Sequence, residues 1–374
     1  MTQFYGKTKI CYGQYALEEL EGLRATQAFI VTDAFMVRAG FVDRVVSHLN
    51  RAGIGHRIFD SVEPDPSLET VTQGTLQFLQ DQADMVIALG GGSAIDAAKA
   101  IAFFAHGIEE HKRKPLLVAI PTTSGTGSEV TAISVVTDKA NAVKIPLNDE
   151  RLIPDVAILD ARFTRTVPPS VTAATGMDVL THAIEAYTSR HANAFSDIYA
   201  RYSVHYVFKY LYRTYTNMDD MEAREMMQLS SCMAGMAFNN SGLGITHSIA
   251  HALGAIFHIP HGLADAVMLP YVIKFNAFDV GVKYKEIADI LDLGATSVEE
   301  GVTKLIETIQ ELNHSMGIPG KISSLRPGGK PIDEHTFRGS LEIMAKNAIE
   351  DGCTQGNPRS PSCEDIIKIL EEAW

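Results

Sequence analysis

Short apolar runs and longer amphipathic ones alternate along the first part of the chain. AFIVTD (28–33), DMVIALG (84–90), LLVAIP (116–121) and VAILD (156–160) are short and nearly unbroken, the pattern of strands buried on both faces. KTKICYG reads as an edge strand and HRIFDSV as a further strand. FMVRAGFVDRVVSHLNRAG repeats its apolar residues at helical spacing up to a Gly stop, and SLETVTQGTLQFLQDQ does so behind Ser67 as N-cap. GGSAIDAAKAIAFF is a Gly-rich turn entering a helix, and ISVVTDKANAVKIPLND a β-hairpin. Strands alternating with helices predict a Rossmann-like α/β domain with a mostly parallel sheet covered on both sides. Past TVPPS (166–170), read as a hinge, the strand signal fades. VTAATGMDVLTHAIEAYTS, DIYARYSVHYVFKYLYRTY and REMMQLSSCMAGMAFNN begin a helical pattern that runs almost to Trp374. The prediction is an α/β domain over 1–166 and an all-α domain over 167–374, with a ligand site in the cleft between them.

Composition narrows the class. A chain of 374 residues suits two domains, and 46% apolar with 21% charged residues is ordinary for a folded protein. The net charge is −13, and no basic run exceeds HKRK at 111–114, read as a solvated loop before a strand. Nucleic acid and membranes are therefore not expected as partners. MTQFYGKTKI has no apolar signal-peptide core, and no stretch is as long as a membrane span. Cys11, Cys232, Cys353 and Cys363 are scattered without a CxxC pair, which suits a reducing cytoplasm.

The densest chemistry lies in GLGITHSIAHALGAIFHIPHG (242–262). It holds His247, His251, His258 and His261, four of the 13 histidines. His247 and His251 are four apart, so a helix puts both rings on one face. His261, between a Pro and a Gly, is expected on a turn just past that helix. Upstream, in GMDVLTHAIEAY, Asp178 and His182 are also four apart. A carboxylate and several imidazoles on two helices suit a divalent metal, and the spacing alone does not rank His247, His251 and His258 as ligands.

Two loops carry nucleotide chemistry. GGGSAIDAAK (90–99) follows a buried strand and opens a helix, so its backbone N–H groups face a phosphate. Ser93 with Asp96 three on also matches a capping box, which leaves phosphate cradle and helix cap both open. PTTSGTGSE (121–129) follows the next strand with hydroxyls at Thr122, Thr123, Ser124, Thr126 and Ser128. Ligands of open α/β sheets bind at such carboxyl ends. Asp33 ends an earlier strand, where a carboxylate accepts from a ribose 2′-OH and repels a 2′-phosphate, favouring NAD over NADP. Lys144, on the hairpin, is within reach of a cofactor or is simply solvated.

Taken in order, GGGSAIDAAK, PTTSGTGSEVT, TGMDVLTHAIEAY and GLGITHSIAHALGAIFHIPHG followed by LP closely resemble the iron-dependent (group III) alcohol dehydrogenases, nearly end to end. The short N-terminus, the HIPHG segment and an NPR near the C-terminus are most similar to the microcompartment-type 1-propanol and ethanol dehydrogenases. The resemblance implies a dehydroquinate synthase-like architecture and an NAD(H)-dependent enzyme interconverting short-chain primary alcohols and aldehydes, such as propionaldehyde and 1-propanol. It implies one divalent metal, Fe²⁺ with Zn²⁺ as the alternative, on Asp178, His182, His247 and His261. His251 then falls near nicotinamide and substrate as a proton-relay residue, and His258 is left unassigned, either orienting a ligand or structural. Cofactor positions correspond to Asp33, Gly91, Gly92, Ser93, Thr122, Thr123, Thr126, Val135 and Lys144. Phe238 and Cys353 match positions that line the substrate pocket. A homo-oligomer is implied, and the microcompartment-type relatives point to a cytoplasmic enzyme with microcompartment enzymes or shell as partners. Lactaldehyde reductase, 1,3-propanediol dehydrogenase, glycerol dehydrogenase and a dehydroquinate synthase-like lyase are the rival enzymes, and a non-catalytic metal-binding scaffold the rival of another class.

Overall fold

A computed structural model describes residues 3–109, 114–141 and 143–374. Residues 111–113 of the basic run lie outside the described residues. The chain divides into two compact units, Tyr5–Val167 and Pro168–Trp374, the latter joined by the first few residues of the chain.

The first unit is built on a six-stranded sheet in the order β1 (Lys9–Tyr12), β8 (Val156–Leu159), β5 (Leu116–Pro121), β4 (Met85–Gly90), β2 (Gln27–Val31), β3 (Gly55–Phe59). Every pairing in it is parallel. Successive side chains of β4 enter different cores. Met85, Ile87 and Leu89 pack with Val45 and Leu49 of α2 (Phe41–Arg51), while Val86 and Ala88 pack with Val71, Phe78 and Ile101 of α3 (Leu68–Gln80) and α4 (Gly92–Ile108). Burial on both faces is why these strands read as unbroken apolar runs. β6 (Ile133–Asp138) and β7 (Val143–Asn148) form the expected antiparallel hairpin. Ser67 caps α3 by accepting from the Thr70 N–H at 3.2 Å.

Two local expectations fail here. The helix expected over FMVRAGFVDRVVSHLNRAG is two: α1 (Ala34–Arg38) and α2, parted at Gly40, whose φ of +74° belongs to the left-handed region that glycine enters without strain. Nor do Ser93 and Asp96 form a capping box. α4 starts at Gly92 with Gly91 as N-cap, and among the described residues no side chain caps it. Asp96 turns inward instead, accepting from Ser128 Oγ at 2.8 Å and from the Val135 N–H at 3.1 Å.

The second unit is helical: α5 (Pro169–Thr188), α6 (Ala194–Thr216), α7 (Met221–Ser241), α8 (Ile245–Phe257), α9 (His261–Ile290), α10 (Val298–Ser315), α11 (Glu334–Gly339), α12 (Leu341–Glu350) and α13 (Cys363–Ala373). Pro169 starts α5, a position where a missing N–H costs nothing. From Gly176 to Thr188 every residue of α5 is buried, so its Asp178, His182 and Glu185 sit inside the unit. Gly262 lets the start of α9 press against α5, since a Cβ there would fall 2.2 Å from the Ala174 carbonyl oxygen and 3.2 Å from Asp178 Cβ. His261 is thus the first residue of α9 and not part of a turn. The turn belongs to His258, which closes α8 in a left-handed conformation (φ 55°).

Candidate active site

Three helices aim polar side chains at one point. Asp178 Oδ1 lies 3.6 Å from Nε2 of His182, of His247 and of His261. Four donors at about 2.1 Å from a tetrahedral ion stand about 3.4 Å apart, so the spacing suits a shared cation. Direct hydrogen bonding does not account for it: among the described residues, Asp178 Oδ1 and His247 Nε2 are buried without a hydrogen-bond partner. Asp178, His182 and His247 are almost fully covered, whereas 40% of the His261 side chain is exposed. The cluster is sealed at its α5 side and accessible at α9. Burial pushes the Asp178 carboxyl up, but His182, His247 and His261 outweigh it and hold the group below the ordinary carboxylate range. The donor set fits a divalent metal.

Around these donors stand residues that set their orientation. Glu185 Oε2 is 2.6 Å from His247 Nδ1, and the carboxylate also accepts from the N–H groups of Gly244 (2.8 Å) and Thr246 (2.6 Å) at the start of α8. A carboxylate only accepts, so Nδ1 carries the hydrogen and Nε2 keeps a lone pair of the kind that binds a cation. Burial raises the Glu185 carboxyl, yet His247 beside it brings it below its usual range. Gly244 makes room, because a Cβ there would meet Glu185 Oε1 at 2.9 Å. Phe238 stacks on the His182 ring, centroids 4.5 Å apart, and so lies against the donor cluster.

His251 stands at the exposed edge, its ring stacked on that of His261 at 5.1 Å. Its Nδ1 is 2.8 Å from Asp351 Oδ2, while the Cys353 N–H donates to Asp351 Oδ1. His251, Asp351 and Cys353 thereby form one group. Although burial alone raises the Asp351 carboxyl, the bond and charge of His251 bring it down to about 2. Because that value lies below the 3.8 of the unfolded chain, the pair's stabilisation is complete above that pH and is lost as pH falls toward 2. Asp351→Asn is expected to lower stability by about 2 kcal/mol at neutral pH. The gap from wild type should close as pH falls from 4 to 2 in thermal melts.

Of the nominated nucleotide residues, Asp33, Gly91, Gly92, Ser93, Thr122, Thr123 and Thr126 follow the carboxyl ends of β2, β4 and β5, while Val135 and Lys144 lie on β6 and β7. A Cβ on Gly91 would meet Thr123 Oγ1 at 3.3 Å, and one on Gly92 would meet Thr126 Cγ2 at 2.8 Å, so the hydroxyl loop lies directly on the glycine loop. Thr122 is buried and its N–H donates to the Gly90 carbonyl. Asp33 precedes the glycine loop in sequence, but β2 neighbours β4, and Asp33 Oδ2 lies 4.0 Å from where a Gly90 Cβ would be. Its Oδ1 caps α1 through the Phe35 and Met36 N–H groups. Ser93 Oγ accepts from the Asp65 N–H, and Asp65 in turn pairs with Lys144 at 2.7 Å. Lys144 is thus an exposed, paired lysine at this rim. Gly92→Ala forces Thr126 aside. At about 1–3 kcal/mol for overpacking, NADH titration should show a Kd raised roughly ten- to a hundredfold, with metal content unchanged.

Three residues of this region escaped the sequence reading. Glu185 shares the face of Asp178 and His182, seven residues after the first and three after the second, a signal present but unused. Lys99 is fully buried, donating to Ser128 Oγ, Thr131 Oγ1 and the Thr131 and Ile133 carbonyls at 2.8–3.0 Å, and so pins the hydroxyl loop and the hairpin beneath the nucleotide residues. Burial draws its ammonium down to about 8 and pushes the neighbouring Glu129 carboxyl up to about 7. A lysine inside an alanine-rich helix was its signal. Asp351, a hundred residues from His251, gave none.

Known proteins match this chain throughout. Residues 7–161 match the iron-containing alcohol dehydrogenase model and residues 172–374 the C-terminal model of the Fe-containing alcohol dehydrogenase family. The chain belongs to that family. It is therefore an oxidoreductase that interconverts alcohols and aldehydes, in a family described as iron-containing. An NADPH-dependent butanol dehydrogenase of Clostridium saccharobutylicum is 43% identical over 385 residues, covering 99% of this chain and 97% of its own. The 1-propanol dehydrogenase PduQ of Citrobacter freundii is 39% identical over the whole of both chains. In solved structures, an alcohol dehydrogenase from Oenococcus oeni superposes with a TM-score of 0.92 at 30% identity, both chains fully covered.

Proposed function

We propose that the chain reduces short-chain aldehydes to primary alcohols, and the reverse, with NAD(H), its metal held by Asp178, His182, His247 and His261. One observation carries this: three imidazole nitrogens each 3.6 Å from a single buried carboxylate oxygen. Preference for NAD(H) rests on Asp33 at the glycine turn, where a 2′-phosphate would meet a negative charge. The named NADPH dependence of the Clostridium relative makes this the point to measure.

When bound, the ion supplies Lewis acidity toward the substrate oxygen and NADH supplies the hydride. The chain's own groups do the rest. Glu185 fixes the His247 tautomer, and Phe238 holds the His182 ring in place. Asp351 keeps the hydrogen of His251 on Nδ1, leaving Nε2 to pass a proton between solvent and the substrate oxygen. Hydride to the carbonyl carbon and one proton to the oxygen complete the alcohol. Phe238 and Cys353 flank the donor cluster and the His251 group, and so limit the bulk of the substrate's carbon chain.

The proposal extends to a homo-oligomer in a microcompartment, which the resemblance to the microcompartment-type dehydrogenases implies. No helix among the described residues is long and apolar enough to cross a membrane. The experiment is anaerobic purification with metal analysis, then rates of NADH and NADPH oxidation over C2–C4 aldehydes. Iron near one per chain with NADH-linked turnover of propionaldehyde is expected. Turnover without net NADH oxidation would instead favour a lyase.

A further inference from the structure

A second carboxylate faces the donor cluster, and neither the spacing of the motifs nor the proposed ligand set includes it. Asp265 lies one turn into α9, four residues after His261. It is fully buried, and among the described residues neither of its oxygens has a hydrogen-bond partner. A buried carboxyl left so is costly unless a cation or donor compensates it. Asp265 Oδ2 is 3.2 Å from His261 Nε2 without a hydrogen bond between them. Two polar atoms so close yet not aimed at each other are placed side by side, as donors to a common third atom are. One donor atom each from Asp178, His247, His261 and Asp265 falls within 4.8 Å of all the others, close to the about 4.2 Å that separates opposite ligands of a single ion at about 2.1 Å.

We infer that Asp265 is a fifth protein ligand to the metal and that it makes the site select Fe²⁺ over Zn²⁺. The inference rests on the metal site proposed above. Its chemistry follows from donor number and hardness. Zn²⁺ is satisfied by four donors in a tetrahedron, and affinity order alone would give it the site. A second carboxylate adds a hard oxygen and raises the protein's share to five donors. That leaves a sixth position for the substrate oxygen, a count that suits Fe²⁺ and gains Zn²⁺ little. Two carboxylates also neutralise the charge of a divalent ion, which lowers the cost of holding it inside the unit.

The test compares wild type with Asp265→Asn, which keeps the side chain's shape and removes its charge. Chelator-stripped proteins are dialysed without oxygen against equimolar Fe²⁺ and Zn²⁺, and bound metal is counted. Wild type should take up one ion per chain with iron well represented. The variant should bind Fe²⁺ at least about tenfold more weakly and shift toward Zn²⁺. An unchanged iron-to-zinc ratio and unchanged Fe²⁺ affinity in the variant overturn the role of Asp265 alone. Failure of wild type to bind either ion overturns the metal site with it. Should the variant not fold, Co²⁺ in wild type decides, since four-coordinate cobalt absorbs visible light far more strongly than five- or six-coordinate cobalt. Weak bands support the fifth ligand, and intense bands refute it.

Discussion

His261→Ala is expected to leave a folded chain that no longer retains metal and no longer turns over. The choice of residue follows from exposure. His247 is buried against Glu185, so its removal would strand a charge in the core, whereas 40% of the His261 side chain already meets solvent and its loss leaves little cavity. His261 is also the one nominated ligand supplied by α9, so the variant removes the third wall of the site while α5 and α8 stay intact. Lewis acidity is worth several kcal/mol of transition-state stabilisation, so turnover should fall by about three orders of magnitude or more. Metal per chain should drop to a small fraction of the wild-type value. NADH should still bind, because the glycine and hydroxyl loops belong to the other unit. Metal analysis, NADH fluorescence titration and steady-state rates check the three parts separately. Full activity in this variant would remove His261 from the ligand set.

The strands were legible because both faces of the sheet are buried. A continuous apolar run of six such as Met85–Gly90, ending in glycine and opening a helix, has the length of a strand and is too short for a buried helix. Helix boundaries were less so. Gly40 breaks a segment whose periodicity runs on through it, and His261 begins a helix that the flanking proline and glycine disguise as a turn. For the site, the pairs spaced four apart marked two helical faces, but which imidazoles converge depends on how α5, α8 and α9 pack. Gly262 sets that packing through its contact with the Ala174 carbonyl, and no local pattern encodes it. Resemblance to the family ranked the histidines where the residues themselves did not. The orienting carboxylates split in the same way: Glu185 lay on a readable face, while Asp351 reaches His251 only through the fold.

Glu185→Gln tests whether that orientation matters, and its effect should be large for a change of one atom. Glu185 accepts from three donors at once: the Gly244 N–H, the Thr246 N–H and His247 Nδ1–H. Glutamine has one accepting oxygen and an NH₂ that only donates. With its oxygen in the Oε1 position it keeps only the Thr246 bond, and the NH₂ then faces both the Gly244 N–H and His247 Nδ1. Nδ1 must then accept, which moves the imidazole hydrogen to Nε2 and puts it where the lone pair met the metal. If the amide turns over instead, a buried backbone N–H at the head of α8 confronts a second donor. Either arrangement leaves one buried group unsatisfied, a cost of about 1–3 kcal/mol in stability. The first also weakens metal binding, by roughly ten- to a hundredfold for the loss of an orienting carboxylate. Chemical denaturation and competitive metal titration would read the two costs apart. Because Asp178, His182 and His261 are untouched, excess metal should restore part of the turnover that His261→Ala loses outright. Metal affinity equal to wild type in Glu185→Gln would mean that the His247 tautomer is set by the ion alone.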